Sequence, residues 1–551
     1  MSTSPIPDPI AIGVAAGWNV TDASTLRTDR TLEADVVVIG SGAGGGVTAE
    51  ILALAGLKVL IVEEGGLKSS KDFKMREAQA YPTLYQESAA RKTRDKAINI
   101  LQGRTVGGST TVNWTSSFRT PPGTLEYWRK HFGLSGYSVD AMAPWFAMME
   151  KRLHVSDWAA PPNENNDLLR RGATALGIPT AAIRRNVNGC WNLGYCGMGC
   201  PTNAKQSMLV TTIPSALALG AGLLVHARAE RFTFKGERID SLQVTALDAA
   251  GQVPTGVRLT LKAKHFVLAG GAINSPALLL RSQAPDPHGL LGQRTFLHPT
   301  LISAGLFPQR VDAYAGAPQT IYSDHFLHTA PIDGPIGYKL EAPPLHPLLM
   351  ATTMGGFGDE HARTMREFPH AHGLLALLRD GFHHDSAGGS VSIDSFGAPV
   401  LDYPLTPFIW DGARRALLSM AEIQFAAGAK SVYPVHELAR HYTSWAQAKQ
   451  AIGALPMKAL LTRVVSAHVM GGCAMSDDVR LGVTGSDGRY HGVRNLSVHD
   501  GSLLPTSIGA NPQLTLYALA ARLASGLALQ LTGKPAPAPM PIAAPAAAAA
   551  A

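Results

Sequence analysis

Four cysteines in 551 residues are too few for a disulfide framework. Long apolar runs are missing as well. The nearest to one, residues 514–531, carries Arg522 and Gln530 and repeats its apolar positions at helical spacing. A buried helix is therefore expected there, not a membrane span. The first 34 residues open on Ser, Pro and Asp, with no basic start leading into an apolar core. No secretory leader is expected, and the default compartment is the cytoplasm. Charge is sparse: 16% of residues are Asp, Glu, Lys or Arg, and the net charge of +7 is scattered. The tightest basic group, Arg91-Lys92-Thr93-Arg94, is broken by a threonine and lies near acids. That distribution gives a mildly basic surface and no nucleic-acid groove, while peripheral contact with an anionic membrane stays open. No G-x-S-x-G occurs, which disfavours a hydrolase.

Glycine and apolar side chains are plentiful. At 46% apolar, the chain has material for a large core and, at ~150 residues per domain, for more than one domain. Residues 34–66 organise the rest. Val36 to Ile39 reads as a short buried parallel strand, Val47 to Ala55 as a helix stopped by Gly56, and Val59 to Val62 as a second strand ending at Glu63. Between strand and helix lies Gly40-Ser41-Gly42-Ala43-Gly44-Gly45, a G-x-G-x-x-G. Gly40 allows the tight turn, Gly42 lets backbone approach a pyrophosphate, and Gly45 lets the helix lie close to the strand. The helix N-terminus offers free N–H groups to phosphates. Glu63 stands where an acid accepts hydrogen bonds from ribose hydroxyls. The stretch predicts a bound dinucleotide, with FAD and NAD both open.

Residues 1–33 read as an extended arm, and 67–100 as polar and mostly helical. Gly103 to Trp114 holds a paired glycine followed by small hydroxyl residues, again suited to close backbone approach. Residues 222–268 alternate as strands, with turns at Gly236 and Ala250-Gly251, and predict a β-meander. The meander runs into a strand, a glycine turn at Gly270-Gly271 and a helix with Pro276 in its first turn. Residues 300–461 are richer in Pro, His and aromatics and read as a separate mixed domain. Residues 534–551, rich in Ala and Pro, predict a disordered tail.

Residues 34–63, 103–113 and 270–280, with a C-terminal group, resemble in order the motifs of the glucose–methanol–choline (GMC) family of FAD-dependent oxidoreductases. The C-terminal group is Ser466 to Met475, Val498 to Ser502 and Gly509 to Thr515. The resemblance implies FAD and an α/β (α+β) two-domain fold. One domain is Rossmann-like, binds FAD and carries the inserted β-meander. The other is a mixed substrate-binding domain built on an antiparallel sheet. The implied division is 34–130, 205–300 and 462–532 for FAD, 131–204 and 301–461 for substrate, with arm 1–33 and tail 533–551. The implied cofactor-binding residues are Gly40, Gly42, Gly45, Glu63, Gly103, Arg104, Gly107, Gly108, Ser109, Asn113, Gly270, Gly271, Asp500, Gly501, Pro512 and Gln513. Cys196 to Ser207 is similar to the branch that includes long-chain alcohol oxidases.

The implied reaction oxidises a small-molecule alcohol, primary and apolar or long-chain, by removing the hydroxyl proton and moving a hydride to the flavin. Oxygen, a quinone and a cytochrome all stay open as acceptors. The family's base position falls on His468, and its partner position on Asn511, which would hydrogen-bond the substrate oxygen. Asn511-Pro512 also reads as an N-cap followed by Pro at the first helical position, opening a helix from Gln513 to Leu529.

Alternatives remain. Some relatives are lyases or light-driven decarboxylases, but the decarboxylases depart from the His/Asn pair that this chain keeps. Cys190, Cys196 and Cys200 lie within eleven residues and allow an iron–sulfur cluster, as in a sugar dehydrogenase, or a tight loop of small thiols. His370, His372, His383 and His384 show no helical H-x-x-x-H spacing and read as surface and loop histidines.

Overall fold

In the computed structural model, which describes residues 6–540, the strand Arg30–Ile39 is central to one of two eight-stranded sheets. Its end, Val36 to Val38, is fully buried because parallel neighbours flank it and helices cover it. Val59–Val62 pairs on one side, Val36 opposite Val59, and Pro254–Leu268 on the other, Ile39 opposite Leu268. The order across the sheet is Val20–Asp22, Gly222–Val225, Val59–Val62, Arg30–Ile39, Pro254–Leu268, Arg238–Leu247 and Ala227–Lys235. Leu496–Val498 joins Pro254–Leu268 as a further parallel partner. The last three strands of the main order form the expected meander, turning at Gly236 and Gly251, both at positive φ.

Helix Ala43–Leu54 packs along Gln513–Thr532, which in turn meets Val139–Arg152. Among the described residues, Gln513–Thr532 is the one helix long and apolar enough to cross a membrane. It lies in the core, with Leu514, Tyr517, Ala518 and Ala521 buried against the dinucleotide sheet's cluster.

A second, mostly antiparallel sheet runs Ile98–Ile100, Val464–Ser466, Thr300–Leu306, Ala371–Leu378, Tyr338–Glu341, Ile321–Ser323, Ala181–Ala182. Helices Glu164–Ala175 and Pro407–Ala426 cover it. Every residue of Ala371–Leu378 is buried. By strand alternation Leu375 and Leu377 share one face, and both line the central cavity. A small sheet of Pro399–Asp402, Gly389–Ile393, Gln293–Phe296 and Met470–Gly471 stands beside them.

Several local expectations are corrected. The arm is not extended: it holds helix Pro9–Ala15, capped by Asp8, and the edge strand Val20–Asp22. Residues 67–100 hold one short helix, Glu77–Leu84, a 3₁₀ turn and a strand. Pro276 is in the second turn of Gly271–Arg281, not the first. Helix Val139–Arg152, assigned from sequence to the substrate domain, packs into the dinucleotide core through Met142, Phe146 and Met149. The tail expected to be disordered lies, from residue 541, outside the described residues; 534–540 carry no helix or strand.

Candidate active site

The two larger sheets enclose a cavity of about 940 Å³. Its first wall is the turn after Arg30–Ile39. Gly40 is at φ +101, and a Cβ there would strike the Ala269 carbonyl. A Cβ on Gly45 would strike the Gly40 carbonyl, so Gly45 seats the helix on the strand and stays behind the wall. A Cβ on Gly42 would meet nothing nearer than Gly108 Cα at 3.8 Å. The space beside Gly42 is the open floor in front of the helix N-terminus, where backbone N–H groups suit an anion.

Glu63 closes one end. Its Oε2 accepts from Ser41 N–H at 3.1 Å and Ser41 O–H at 2.5 Å, and its Oε1 from Gly65 N–H at 2.8 Å. Ser41 Oγ accepts in turn from Gly107 N–H at 3.0 Å. Gly107 thus stands behind the wall and locks the two glycine turns together. Burial pushes the Glu63 carboxyl up, and these donors oppose the rise. Arg104 reaches Glu64 at 2.9 Å and also the Gly251 carbonyl. Gly103 N–H donates to Ser109 Oγ at 2.9 Å. Asn113 Nδ2 donates to Gln513 Oε1 at 2.5 Å.

Asp500 secures the opposite turn. Its Oδ2 accepts from Gly271 N–H at 2.8 Å and Ser275 O–H at 2.5 Å, and its Oδ1 from Ser502 N–H at 2.8 Å. Gly270, Gly501, Pro512 and Gln513 line the cavity with it. All the expected cofactor positions but Gly45 and Gly107 thus reach one surface.

His468 and Asn511 are on that surface too. Val469, Leu375, Leu377 and Trp114 line the same cavity. Burial, with the Lys339 ammonium nearby, pushes His468 down to about 4, so the ring is neutral near pH 7. Asn511 does not cap the last helix. The N-cap position is Pro512, without a side-chain cap, and the Asn511 amide donates instead to Glu341 Oε2 at 3.2 Å. Asn511 Oδ1 is buried without a partner. His499 is off the wall, buried against Thr48 Oγ1 at 2.9 Å.

Sequence reasoning missed Glu341, Lys339 and His298. Lys339 and Glu341 lie on Tyr338–Glu341 in a stretch without a motif, and a charge on an apolar strand gives no sign of its partner. His298 belongs to no quoted signature.

The cysteine loop is apart from the cavity lining. Cys190, Cys196 and Cys200 are free thiols. Cys200 Sγ accepts from Lys205 N–H at 3.5 Å, Cys190 Sγ from Asn192 N–H at 3.4 Å, and Cys196 faces the buried Arg185 guanidinium at 3.9 Å. His372 is no surface histidine: it is fully buried, with Gln424 donating to it at 3.2 Å. His383, His384 and Asp385 bring ligand atoms within 4.8 Å of one another on a largely exposed turn.

Two GMC oxidoreductase family models match, over residues 60–300 and 385–520. An uncharacterized GMC-type oxidoreductase of Mycobacterium tuberculosis is 31% identical over 91% of this chain and 76% of its own length. One from Sinorhizobium fredii is 29% identical over 91% and 95%. A long-chain-alcohol oxidase of Arabidopsis thaliana is 27% identical over 93% and 69%. The fold matches a formate oxidase of Aspergillus oryzae with a TM-score of 0.67 at 15% identity, over 92% of this chain and 99% of that one. The residues present fit FAD: a glycine floor before a helix N-terminus, a buried acid at one end, and an unpartnered amide oxygen in the lining at Asn511. The chain belongs to the GMC oxidoreductase family of FAD-dependent flavoproteins.

Proposed function

We propose that the chain oxidises an alcohol, primary and predominantly apolar, at the cavity wall formed by His468 and Asn511. The observation that carries this reading is the placement of a neutral imidazole and an amide on one cavity that apolar side chains also line. FAD, when bound, supplies the hydride acceptor. Glu63 would hold its ribose and the backbone around Gly42 its phosphates. A neutral His468 would take the alcohol's hydroxyl proton, and the Asn511 amide would hold the same oxygen and steady the alkoxide from which the hydride leaves. Val469, Leu375, Leu377 and Trp114 favour a substrate with little to hydrogen-bond beyond its hydroxyl. The likeness to plant long-chain-alcohol oxidases supports that choice.

The experiment is anaerobic mixing of the purified yellow protein with a panel of primary alcohols of increasing chain length, followed by readmission of oxygen. Bleaching of the flavin by the longer alcohols is the expected result. Bleaching by sugars alone would overturn the apolar assignment, and bleaching by none would overturn alcohol oxidation. Recovery of colour on readmission identifies oxygen as an acceptor.

A further inference from the structure

The cavity does not end at Glu63. Strand Ala227–Lys235 starts there, its Ala227 N–H donating to the Glu63 carbonyl at 3.0 Å, and Ala227 to Glu230 continue the lining. A hairpin of the small sheet, Gly389–Ile393 and Pro399–Asp402, reaches the same stretch from the part of the chain that the sequence assigns to substrate. Its tip carries Phe396, which lines the cavity while 94% exposed and so stands at its mouth. Arg281 joins hairpin and strand. Its guanidinium donates to the Glu230 carbonyl at 2.9 Å, to Ala229 at 3.2 Å and to Gly397 at 3.1 Å. The residue after Phe396 is thereby tied to the strand that leads away from Glu63.

The turn that presents the phenyl ring is closely held. Asp394 Oδ1 accepts from Phe396 N–H at 2.8 Å and from Ala398 N–H at 2.9 Å, and the Asp394 carbonyl accepts from Gly397 N–H at 3.0 Å. Such side-chain bonds to nearby backbone fix a turn without help from a core. Gly397 is at φ +79, and a Cβ there would stand 3.0 Å from Arg281 Cδ. The backbone of the tip is set, yet the ring packs against almost no protein. A lone exposed phenyl on an open surface calls for no explanation. One fixed at the mouth of a cavity offers an apolar face to what fills that cavity.

The chemistry of the dinucleotide identifies the occupant. With pyrophosphate against the turn at Gly42 and ribose at Glu63, the group that follows is the adenine base. Adenine has two flat faces, and stacking is the interaction that a ring without donor or acceptor can give it. We infer that Phe396 is a cofactor-binding residue: from a hairpin outside the nucleotide sheet, it stacks on the adenine of FAD at the cavity mouth, beyond the ribose at Glu63. The inference rests on that ribose placement and on no step of the alcohol oxidation. It makes the cofactor a bridge between the nucleotide sheet and the small sheet.

Two measurements test it, and neither involves turnover. The first is the rate at which the FAD-loaded protein releases flavin on dilution, read by flavin fluorescence, in wild type, Phe396→Ala, Phe396→Leu and Phe396→Trp. The ring contacts so little protein that all three variants should fold as wild type does. Release should be about tenfold faster from Phe396→Ala, nearly as fast from Phe396→Leu, and no faster than wild type from Phe396→Trp. Equal rates in all four proteins would overturn the inference. So would a leucine variant that holds FAD as wild type does, because that result shows apolar cover in place of stacking. The second is photolabelling of protein reconstituted with an FAD analogue that carries an azide on the adenine, followed by peptide mapping. Label within residues 394–398 is expected. Label on Ala227–Lys235 with none on the hairpin would overturn the stack and leave the ribose at Glu63, whereas label beside His468 or Asn511 would overturn both. Protein that holds FAD yet oxidises no alcohol would remove the proposed function and leave both measurements standing.

Discussion

Glu341 holds the amide of Asn511: the carboxylate accepts from Nδ2 at 3.2 Å, and both residues are buried. Lys339, two residues earlier and on the same strand face, brings its ammonium to 3.7 Å from Glu341 Oε1 and over the rings of Phe118 and Tyr322. Burial pushes Lys339 down to about 7 and Glu341 up, and their mutual attraction opposes both shifts. Because Glu341 engages Nδ2, the amide has a set orientation beside the cavity.

Breaking this pair from one side should therefore affect both stability and catalysis. Glu341→Ala removes the attraction that keeps Lys339 charged, so the buried lysine, already pushed down to about 7, sheds its proton, and the loss of stability should fall below the about 3–5 kcal/mol of an unpaired buried charge. It should also slow flavin reduction, because Asn511 loses its anchor. Glu341→Gln keeps an oxygen for Nδ2 and should retain more activity than Ala. Denaturant unfolding and anaerobic stopped-flow on the two variants check this; equal reduction rates would show that Glu341 does not orient Asn511.

His468→Ala should bind FAD normally and reduce it about 10²–10⁴-fold more slowly, the usual contribution of a positioned proton acceptor. In wild type the ring is pushed down to about 4 and is neutral at every higher pH. Its ionisation should then leave the reduction rate flat from about pH 6 upward. Asn511→Ala should slow reduction without altering that profile. A wild-type rate that climbs through an ionisation near 6.5, and loses it in His468→Ala, would contradict the lowered titration of this ring.

The nucleotide half was legible because its residues answer to local rules. Gly40 must turn, Gly45 must touch the Gly40 carbonyl, and Val36 to Ile39 must be apolar on both faces; each demand leaves a mark in sequence. The oxygen-binding wall was legible only in part. His468 and Asn511 belong to recognisable motifs, but their partners lie more than a hundred residues away, His298 in the turn after Gln293–Phe296 and Glu341 at the end of Tyr338–Glu341. His298 meets His468 because Phe296 meets Met470, and Glu341 meets Asn511 because two sheets face one cavity. The expected Asn511 cap failed for a similar reason: the Asn511 amide is engaged by Glu341 and does not cap the helix, whose N-cap is Pro512.

Buried neutral histidines should make the fold sensitive to mild acid. His372 is pushed down to about 3 by burial and stands outside the cavity lining. Its folded pKa lies below the ordinary 6.5, so between those values the unfolded chain binds a proton that the native one refuses. Stability then falls as pH drops below 6.5, by about 1.4 kcal/mol per pH unit for this one group. His372→Gln removes that term. From pH 6.5 to 5 the wild type should lose about 2 kcal/mol more than the variant, measured by urea unfolding at the two pH values. Parallel losses would show that His372 is already neutral in the unfolded chain or charged in the native one.

Gly42 and Gly108 face each other across the cavity floor, and alanine at each should fail differently. Gly108 is at φ +53, ψ −143, a region that only glycine adopts readily, and a Cβ there would stand 2.8 Å from Gly42 Cα. Backbone on backbone has nowhere to move. Gly108→Ala should therefore lower the unfolding temperature of the FAD-free protein as well as its FAD content. Gly42 is at φ −70, which any residue adopts, and its Cβ would have only Gly108 Cα within 4 Å, at 3.8 Å. Gly42→Ala should fold with wild-type thermal stability when free of FAD, yet retain little flavin, because the added methyl takes the space a pyrophosphate needs against the helix N-terminus. Differential scanning calorimetry of the stripped proteins and flavin absorbance after reconstitution separate the two effects. Normal FAD retention by Gly42→Ala would mean that the phosphates do not lie against this turn, and the cofactor's place along the cavity would have to be reassigned.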